Sequence, residues 1–451
     1  MNSYLLNRQL GTISPQALAR AQNQRLLESL QASPKVQFQR PESRGNHGNI
    51  AHATGVTSIA IDRFEGRYLL SGGADSSVSV WDLEATQASH DGSLIHTPLA
   101  TALRTSTTES LGITHVSFYP FDSLAFLTSG YDRTLKIFSS ETLQASGTFD
   151  LGSTIYSHAT SNVASHLLIA CASQHPAVRL VDLQSGSSTH SLAGHAGSVL
   201  SVSWHPKNEH ILASGATDGT CRLWDIRRSA SSLGVLDFDD SVGLGGYDAN
   251  GTGARRRERG KAHNGAVNGI TWSEDGRFMV TMGHDERMRV WQMNTGGNTL
   301  VNFGPSLKNT LTTTLTPLIP PAYLSAPGTD TIYYPNPGEI LALDLHNGRL
   351  LKKLRAPASQ KPQSGRSMGN LSTRITSMAW RAHTVELYSA HGDGTIRAWC
   401  PWTDDDDVGD GEGVEDDDQH REDDETAERK RKRDELDHIV QDLTKKRVTY
   451  S

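Results

Sequence analysis

The chain has 451 residues, 36% hydrophobic and 21% charged, with a formal net charge of -7 at neutral pH. It has no apolar run approaching the roughly 18 residues of a membrane-spanning helix. Its three cysteines, Cys171, Cys221 and Cys400, are too few and too scattered for a disulfide framework or a zinc cluster. From Thr403 onward 19 acidic residues stand against 9 basic ones, a balance of -10 that leaves the preceding residues at +3. That distribution lacks the concentrated basic surface of a dedicated DNA binder, so no direct specific nucleic-acid binding is expected.

Residues 1–14 lack the apolar core and small-residue cleavage site of a secretory signal. Residues 2–31 instead read as two short helices, making a helix-loop-helix over 1–34. Tyr4, Leu5, Leu6 and Leu10 form an apolar cluster closed by Gly11. Ser14 then supplies an N-cap, with Pro15 at the first helical position, where a missing N–H is harmless. The second helix carries Leu18, Ala21, Arg25, Leu26 and Leu30 at mixed three- and four-residue spacing. Residues 35–39 alternate Val36 and Phe38 with polar residues, as a short strand does.

A repeat governs residues 35–402. Five times an Asp is followed six residues later by an aromatic and preceded by Ser or Thr four residues earlier: Ser71/Asp75/Trp81, Thr128/Asp132/Phe138, Ser214/Asp218/Trp224, Thr281/Asp285/Trp291 and Ser389/Asp393/Trp399. Two further units are degenerate, with Val181 and Leu343 in place of the aromatic and His175 and Pro337 in place of the Asp. A unit of about 40–45 residues ending in Trp-Asp is the signature of a propeller blade. The fold expected is all-β, a seven-bladed WD40 β-propeller. Residues 228–261, rich in Ser, Gly and Asp, read as a long insertion loop, and 357–369 as a second loop. Residues 403–451 read as an acidic, largely disordered tail. Within it, 426–447 place Leu436, Ile439, Val440 and Leu443 on one helical face.

In three units a His precedes the Asp by 22 or 23 residues, giving the tetrads His52/Ser71/Asp75/Trp81, His195/Ser214/Asp218/Trp224 and His263/Thr281/Asp285/Trp291. Ser, His and Asp together invite a catalytic-triad reading. An active site needs one copy, however, and several copies suit buried polar groups that satisfy each other inside a propeller. The sequence holds no phosphate-binding loop, zinc-protease motif or nucleophile elbow. No catalytic residue, metal or cofactor is expected.

One unit departs from the others after its aromatic. Trp224-Asp225-Ile226-Arg227 places an Arg where the other units with a Trp have Glu84, Asn294 or Trp402. A Trp-Asp-x-Arg ending resembles the box by which WD40 receptors dock on the large adaptor of Cullin-4 ubiquitin ligases, and such receptors commonly carry a helix-loop-helix ahead of the propeller. The segments FEGRYLLSGGADSSVSVWDLE (64–84), HPKNEHILASGATDGTCRLWDIRR (205–228) and AHNGAVNGITWSEDGRFMVTMGHDERMRVW with its NTLVNFG continuation (262–304) resemble the Cockayne syndrome group A family, in the same order over 1–402.

The resemblance implies a non-catalytic substrate receptor of a Cullin-4 RING ligase in transcription-coupled nucleotide excision repair. It implies adaptor contacts through Arg227, Asp225, Leu5, Leu6, Leu10, Leu18 and Leu26. The implied partners are the large damaged-DNA-binding adaptor subunit, Cullin-4 and the RING subunit through it, the transcription-repair coupling translocase and RNA polymerase II. Two basic clusters in the tail, Arg429, Lys430, Arg431, Lys432 and Arg433, then Lys445, Lys446 and Arg447, form a bipartite-like import pattern that predicts a nuclear protein. The acidic tail also suits a different role, a chromatin or histone-binding scaffold without a ligase.

Overall fold

The computed structural model describes residues 2–12, 14–40, 50–88, 92–102, 112–228, 232–239, 260–304, 307–310, 313–325, 329–356 and 374–402. The chain divides into a unit spanning 1–402 and a second spanning 403–451. The expected acidic tail, its terminal helix and both basic clusters lie outside the described residues, as does the 357–369 loop.

Within the first unit, α1 (Asn2–Gln9) stops where Gly11 turns to φ 73°, a conformation open to glycine at no steric cost. Helix α2 (Pro15–Ser29) starts where the Ser14 side chain accepts a hydrogen bond from the Ala17 N–H at 3.2 Å. The helix ends one residue before Leu30, which the helical spacing had included. Leu30 instead opens β1 (Leu30–Ala32). The Val36 and Phe38 alternation forms β2 (Val36–Phe38).

The repeat builds antiparallel sheets. Sheet 1 contains Val56–Ile61, Tyr68–Gly73, Val78–Asp82 and Pro98–Ala102; sheet 2 contains Ile113–Tyr119, Asp122–Gly130, Thr134–Ser139 and Ala145–Asp150. Sheets 3, 4 and 5 begin at Ile155, Val199 and Val267 and have the same four-strand order. Sheet 6 has three strands, Thr331–Asn336, Glu339–Asp344 and Leu350–Arg355. Sheet 7 takes Ile375–Arg381, Glu386–His391 and Ile396–Pro401 from the end of the unit and β1 from its beginning, with Leu30 opposite Pro401 and Ala32 opposite Trp399. Pairing an early and a late segment of this unit closes the ring and covers an edge that would otherwise offer unpaired backbone groups.

The core consists of layers between neighbouring sheets. Val116 and Phe126 of sheet 2 pack on Leu70 and Val80 of sheet 1, and Leu127 and Leu135 pack on Ile155 and Ile169 of sheet 3. Corresponding layers join sheets 3 to 4, 4 to 5, 5 to 6, 6 to 7 and 7 back to 1.

Eight sheets are present among the described residues, one more than the seven units of the repeat. The additional sheet joins β2 in parallel to Leu94–His96, which pairs in turn with Gln87–Ala88. Its short strands come from the N-terminal segment and an insert of sheet 1, neither of which carries the Asp-to-aromatic spacing. Phe38 anchors it, edge-on to Trp81 at 5.4 Å and to Tyr388 at 6.0 Å.

Two further expectations change. Residues 232–235, inside the expected 228–261 loop, form the fourth strand of sheet 4, where Val235 pairs with Arg222. In sheet 6 the innermost position is held by residues 313–318, which meet the sheet through one bridge, Leu318 to Tyr333. Pro317, Pro320 and Pro321 lack the N–H groups a regular ladder requires. Side chains of sheet 5 supply the missing ties: Asn268 Nδ2 donates to the Thr313 carbonyl at 2.9 Å and Thr271 Oγ1 to the Pro317 carbonyl at 2.7 Å.

Candidate docking site

Every third strand that ends in the repeat's aromatic runs toward one end of the ring. Asp225 and Arg227 therefore lie at that end, and the Asp turns at the other. Because β1 is antiparallel to Ile396–Pro401 and starts opposite Pro401, α2 enters at the same end as Arg227. We call it the helix face, and the opposite end the turn face. Asn23 Nδ2 donates to the Tyr323 carbonyl at 3.4 Å, and Lys352 Nζ to the Glu28 carbonyl at 2.7 Å, which holds α2 against sheet 6.

Arg227 is 64% exposed, yet it is not loose. Its Nε donates to Asp225 Oδ1 at 3.0 Å and its Nη2 to Asp225 Oδ2 at 2.8 Å, while its backbone N–H also reaches Oδ1 at 3.1 Å. The Arg227 hydrogen bonds hold the Asp225 carboxyl down at about 2, so the pair persists across the neutral range. A planar guanidinium clamped along one edge keeps donors free on the other. It also has less side-chain freedom to lose when a partner binds. In sheet 1 the corresponding carboxylate, Asp82, is taken by Arg67 from the loop before the second strand, with Nη2 to Oδ2 at 2.6 Å. Nothing in the Trp81-Asp82-Leu83-Glu84 ending signals that partner.

The leucines assigned to docking divide. Leu6 and Leu10 are exposed, at 59% and 67%. Leu18 is buried, and Leu26 packs against the layer between sheets 6 and 7 beside Leu27 and Leu30. Both are anchors of α2 and not free contacts, because the helix lies on the ring and its inward stripe is consumed there. The Leu5 side chain lies outside the described residues.

Around them the helix face is apolar. Phe64, Phe121, Val163 and Leu167 are exposed on the loops of sheets 1 to 3, Leu124 near the start of the second strand of sheet 2, and Tyr323 and Trp402 on sheets 6 and 7. Leu94, Leu99, Leu233, Leu300, Leu350 and Leu351 are exposed outside this set. On the turn face, Tyr131 is the one large apolar side chain this exposed among the described residues. Exposed apolar groups gathered on one face mark an interaction surface.

The tetrads lie toward the turn face and are interior; Trp81, Trp224 and Trp291 are all fully buried. In sheet 1, Trp81 Nε1 donates to Ser71 Oγ at 2.8 Å, which meets His52 Nε2 at 2.7 Å. His52 Nδ1 then meets Ser77 Oγ at 2.7 Å, and Ser77 Oγ donates to Asp75. Sheet 4 repeats this through Trp224, Ser214, His195, Thr220 and Asp218. A hydroxyl thus stands between His and Asp in both. The sequence signal for it is Ser or Thr two residues after the Asp.

The sheet 5 set, expected to copy the other two, departs from them. Its first half is the same: Trp291 Nε1 donates to Thr281 Oγ1 at 2.9 Å, and Thr281 Oγ1 meets His263 Nε2 at 2.8 Å. Its second half lacks the hydroxyl, because Arg287 holds that position, and His263 Nδ1 meets Asp285 Oδ1 directly at 2.9 Å. Arg289 Nη1 takes the other carboxylate oxygen at 2.7 Å. The chain from Trp291 to Asp285 is therefore one member shorter and is closed by a guanidinium. Sheet 7 draws its His from the second strand, where His391 Nε2 meets Ser389 Oγ at 2.9 Å. The 22-residue spacing could not reveal that one.

Burial would raise Asp75, Asp218 and Asp285, but all three are held below the ordinary carboxylate range. The Ser77 and Thr220 hydroxyls hold the first two, with His52 and His195 3.5 and 3.7 Å away, and His263 and Arg289 hold the third directly. Burial pushes His195 and His263 down against the pull of their Asp partners. The same burial pushes the Cys171 and Cys221 thiols up to about 12, and no three His, Cys, Asp or Glu are gathered for a metal among the described residues.

Comparison with known proteins places four of the units. Residues 47–82, 99–139, 186–225 and 257–292 match the WD domain, G-beta repeat (WD40). The chain is similar to WD repeat-containing protein ATCSA-1 of Arabidopsis thaliana, 28% identical over 88% of this chain and 94% of that protein. It is also similar to ribosome biogenesis protein ytm1 of Neurospora crassa, at 27% over 53% of this chain and 54% of that one. Radiation-sensitive protein 28 of Saccharomyces cerevisiae is 25% identical over 46% of this chain and 44% of that protein. The chain thus spans about half the length of the latter two.

Proposed function

For this WD40-repeat propeller protein, we propose the role of substrate receptor in a Cullin-4 RING ubiquitin ligase acting in transcription-coupled nucleotide excision repair. It would position a target and leave ubiquitin transfer to other subunits. The reading is carried by the exposed Arg227, clamped on Asp225 at the end of the ring where α2 enters. Leu6, Leu10 and the apolar loops of sheets 1 to 3 belong to the same face, which we assign to the large damaged-DNA-binding adaptor subunit. The similarity along 94% of ATCSA-1 favours this reading over one drawn from the ribosome biogenesis relatives, which match half their length. Cullin-4 and the RING subunit would join through the adaptor; the coupling translocase and RNA polymerase II are the further partners the family resemblance implies.

Affinity purification of the full chain tests the role. Recovery of adaptor and cullin is expected, and Arg227→Glu should lower adaptor recovery while the propeller stays folded. Equal recovery by that variant would remove Arg227 from the interface, and recovery of histones without adaptor would favour the scaffold role. We assign the protein to the nucleus on its two basic tail clusters. A reporter fused to residues 424–451 should enter the nucleus; one that stays cytoplasmic refutes the assignment.

A further inference from the structure

The turn face opens onto a cavity of about 140 Å³ at the mouth of the central channel. Its walls come from the inner strands of sheets 7, 1, 2 and 3 and from Thr313 and Thr314. One charged residue lines it, Arg374, just before the first strand of sheet 7.

Four basic side chains at this end have acids, while Arg133 and Arg287 stand exposed to water. Lys136 pairs with Asp132, Arg289 with Asp285, Arg397 with Asp393 and Arg40 with Asp75. Arg374 donates to Thr313 Oγ1, and no carboxylate pairs with it among the described residues. Three threonine hydroxyls of the mouth donate to carbonyls, Thr57 to that of Gly72, Thr114 to that of Ile155 and Thr376 to that of Val56, and Thr314 adds a fifth, neutral hydroxyl to the lining. The one charged group left without a counter-charge in the lining is a half-buried guanidinium, with Tyr131 and Tyr156 also on the walls. Taking a charge out of water is costly unless an opposite charge meets it.

We propose that the channel mouth is a binding site for an acidic segment of a partner protein, whose Asp or Glu carboxylate seats on Arg374. A carboxylate matches a single guanidinium in charge and in fork geometry, whereas phosphopeptide sites gather several cations. Tyr131, 42% exposed at the rim, offers the neighbouring residues an apolar surface. The acidic residues after Trp402 are the competing occupant, which the truncation below distinguishes from a partner. The site goes beyond the ligase role and would serve a receptor or a scaffold alike.

The test uses the full-length protein and a fluorescein-labelled 12-residue peptide of Asp, Glu, Gly and Ser, with its Asn/Gln counterpart and a phosphoserine version, read by fluorescence anisotropy. The acidic peptide should bind wild type. Arg374→Gln should weaken binding about tenfold or more, the scale of a lost charge-assisted contact. Arg374→Lys should retain part of the affinity, and Arg287→Gln, an exposed change on the same face, should leave it within about twofold. The assignment is overturned if wild type fails to bind, if Arg374→Gln or the Asn/Gln peptide binds equally well, or if the phosphoserine peptide alone binds. Binding that emerges once 403–451 are removed would give the mouth to the chain's own tail and also overturn it. Adaptor recovery by Arg374→Gln should equal wild type, which reads the helix face separately and shows that the variant is folded.

Discussion

Ser214→Ala measures what the tetrad of sheet 4 contributes to stability. Ser214 is fully buried and joins two partners, Trp224 Nε1 at 2.7 Å and His195 Nε2 at 2.7 Å. Removing one oxygen creates almost no cavity but strands both ring nitrogens in a dry interior. At about 1–3 kcal/mol per stranded group, the expected loss is about 2–6 kcal/mol. Equilibrium urea unfolding followed by fluorescence reads it as a lower midpoint at unchanged slope. The double variant Ser214→Ala/Trp224→Phe should lose less than the two single losses added together, because the indole N–H is no longer stranded. Sheet 3 carries this replacement naturally, with Cys171 at the hydroxyl position and Val181 at the indole position, both fully buried. A loss below about 0.5 kcal/mol for Ser214→Ala, the scale of a neutral surface change, would refute the stranding argument, as would strict additivity.

Leu6→Glu combined with Leu10→Glu should reduce adaptor binding and leave thermal stability unchanged, since both side chains are exposed; calorimetry and pull-down separate the two effects. Deleting residues 1–12 should behave likewise, whereas deleting 1–31 removes Leu30 and Gln31 from sheet 7, opens the ring and should yield aggregated protein on size-exclusion chromatography. His115 is buried edge-on to His158 at 4.6 Å, and burial lowers it to about 4. Its folded-state value is depressed, so its contribution is complete above the ordinary value near 6.5 and lost as pH falls toward about 4. The size of that loss is about 3 kcal/mol. His158, His195 and His263 are also lowered by burial and keep part of the slope. His115→Gln should therefore reduce the fall of the urea midpoint between those limits, and an unchanged pH profile would exclude His115 as a source.

The amino-acid sequence alone determined the repeated unit, because the Asp-to-aromatic spacing is local: one turn and two strands fix it regardless of what surrounds them. It therefore located Ser71, Asp75 and Trp81 and their counterparts, and it singled out Arg227. The capping of α2 by Ser14 was legible for the same reason. Tertiary structure decided whatever depends on residues far apart in the chain. Leu30 belongs to a strand because Pro401 lies opposite it, and no helical period contains that information. Leu18 and Leu26 became anchors, while Leu6 and Leu10 stayed exposed, because the ring covers one stripe of α2. The accessory sheet of β2 and the unpaired position of Arg374 likewise follow from contacts between distant segments. Period and spacing specify each unit. Closure of the ring decides which faces are left for partners, because it consumes every other surface in its own core.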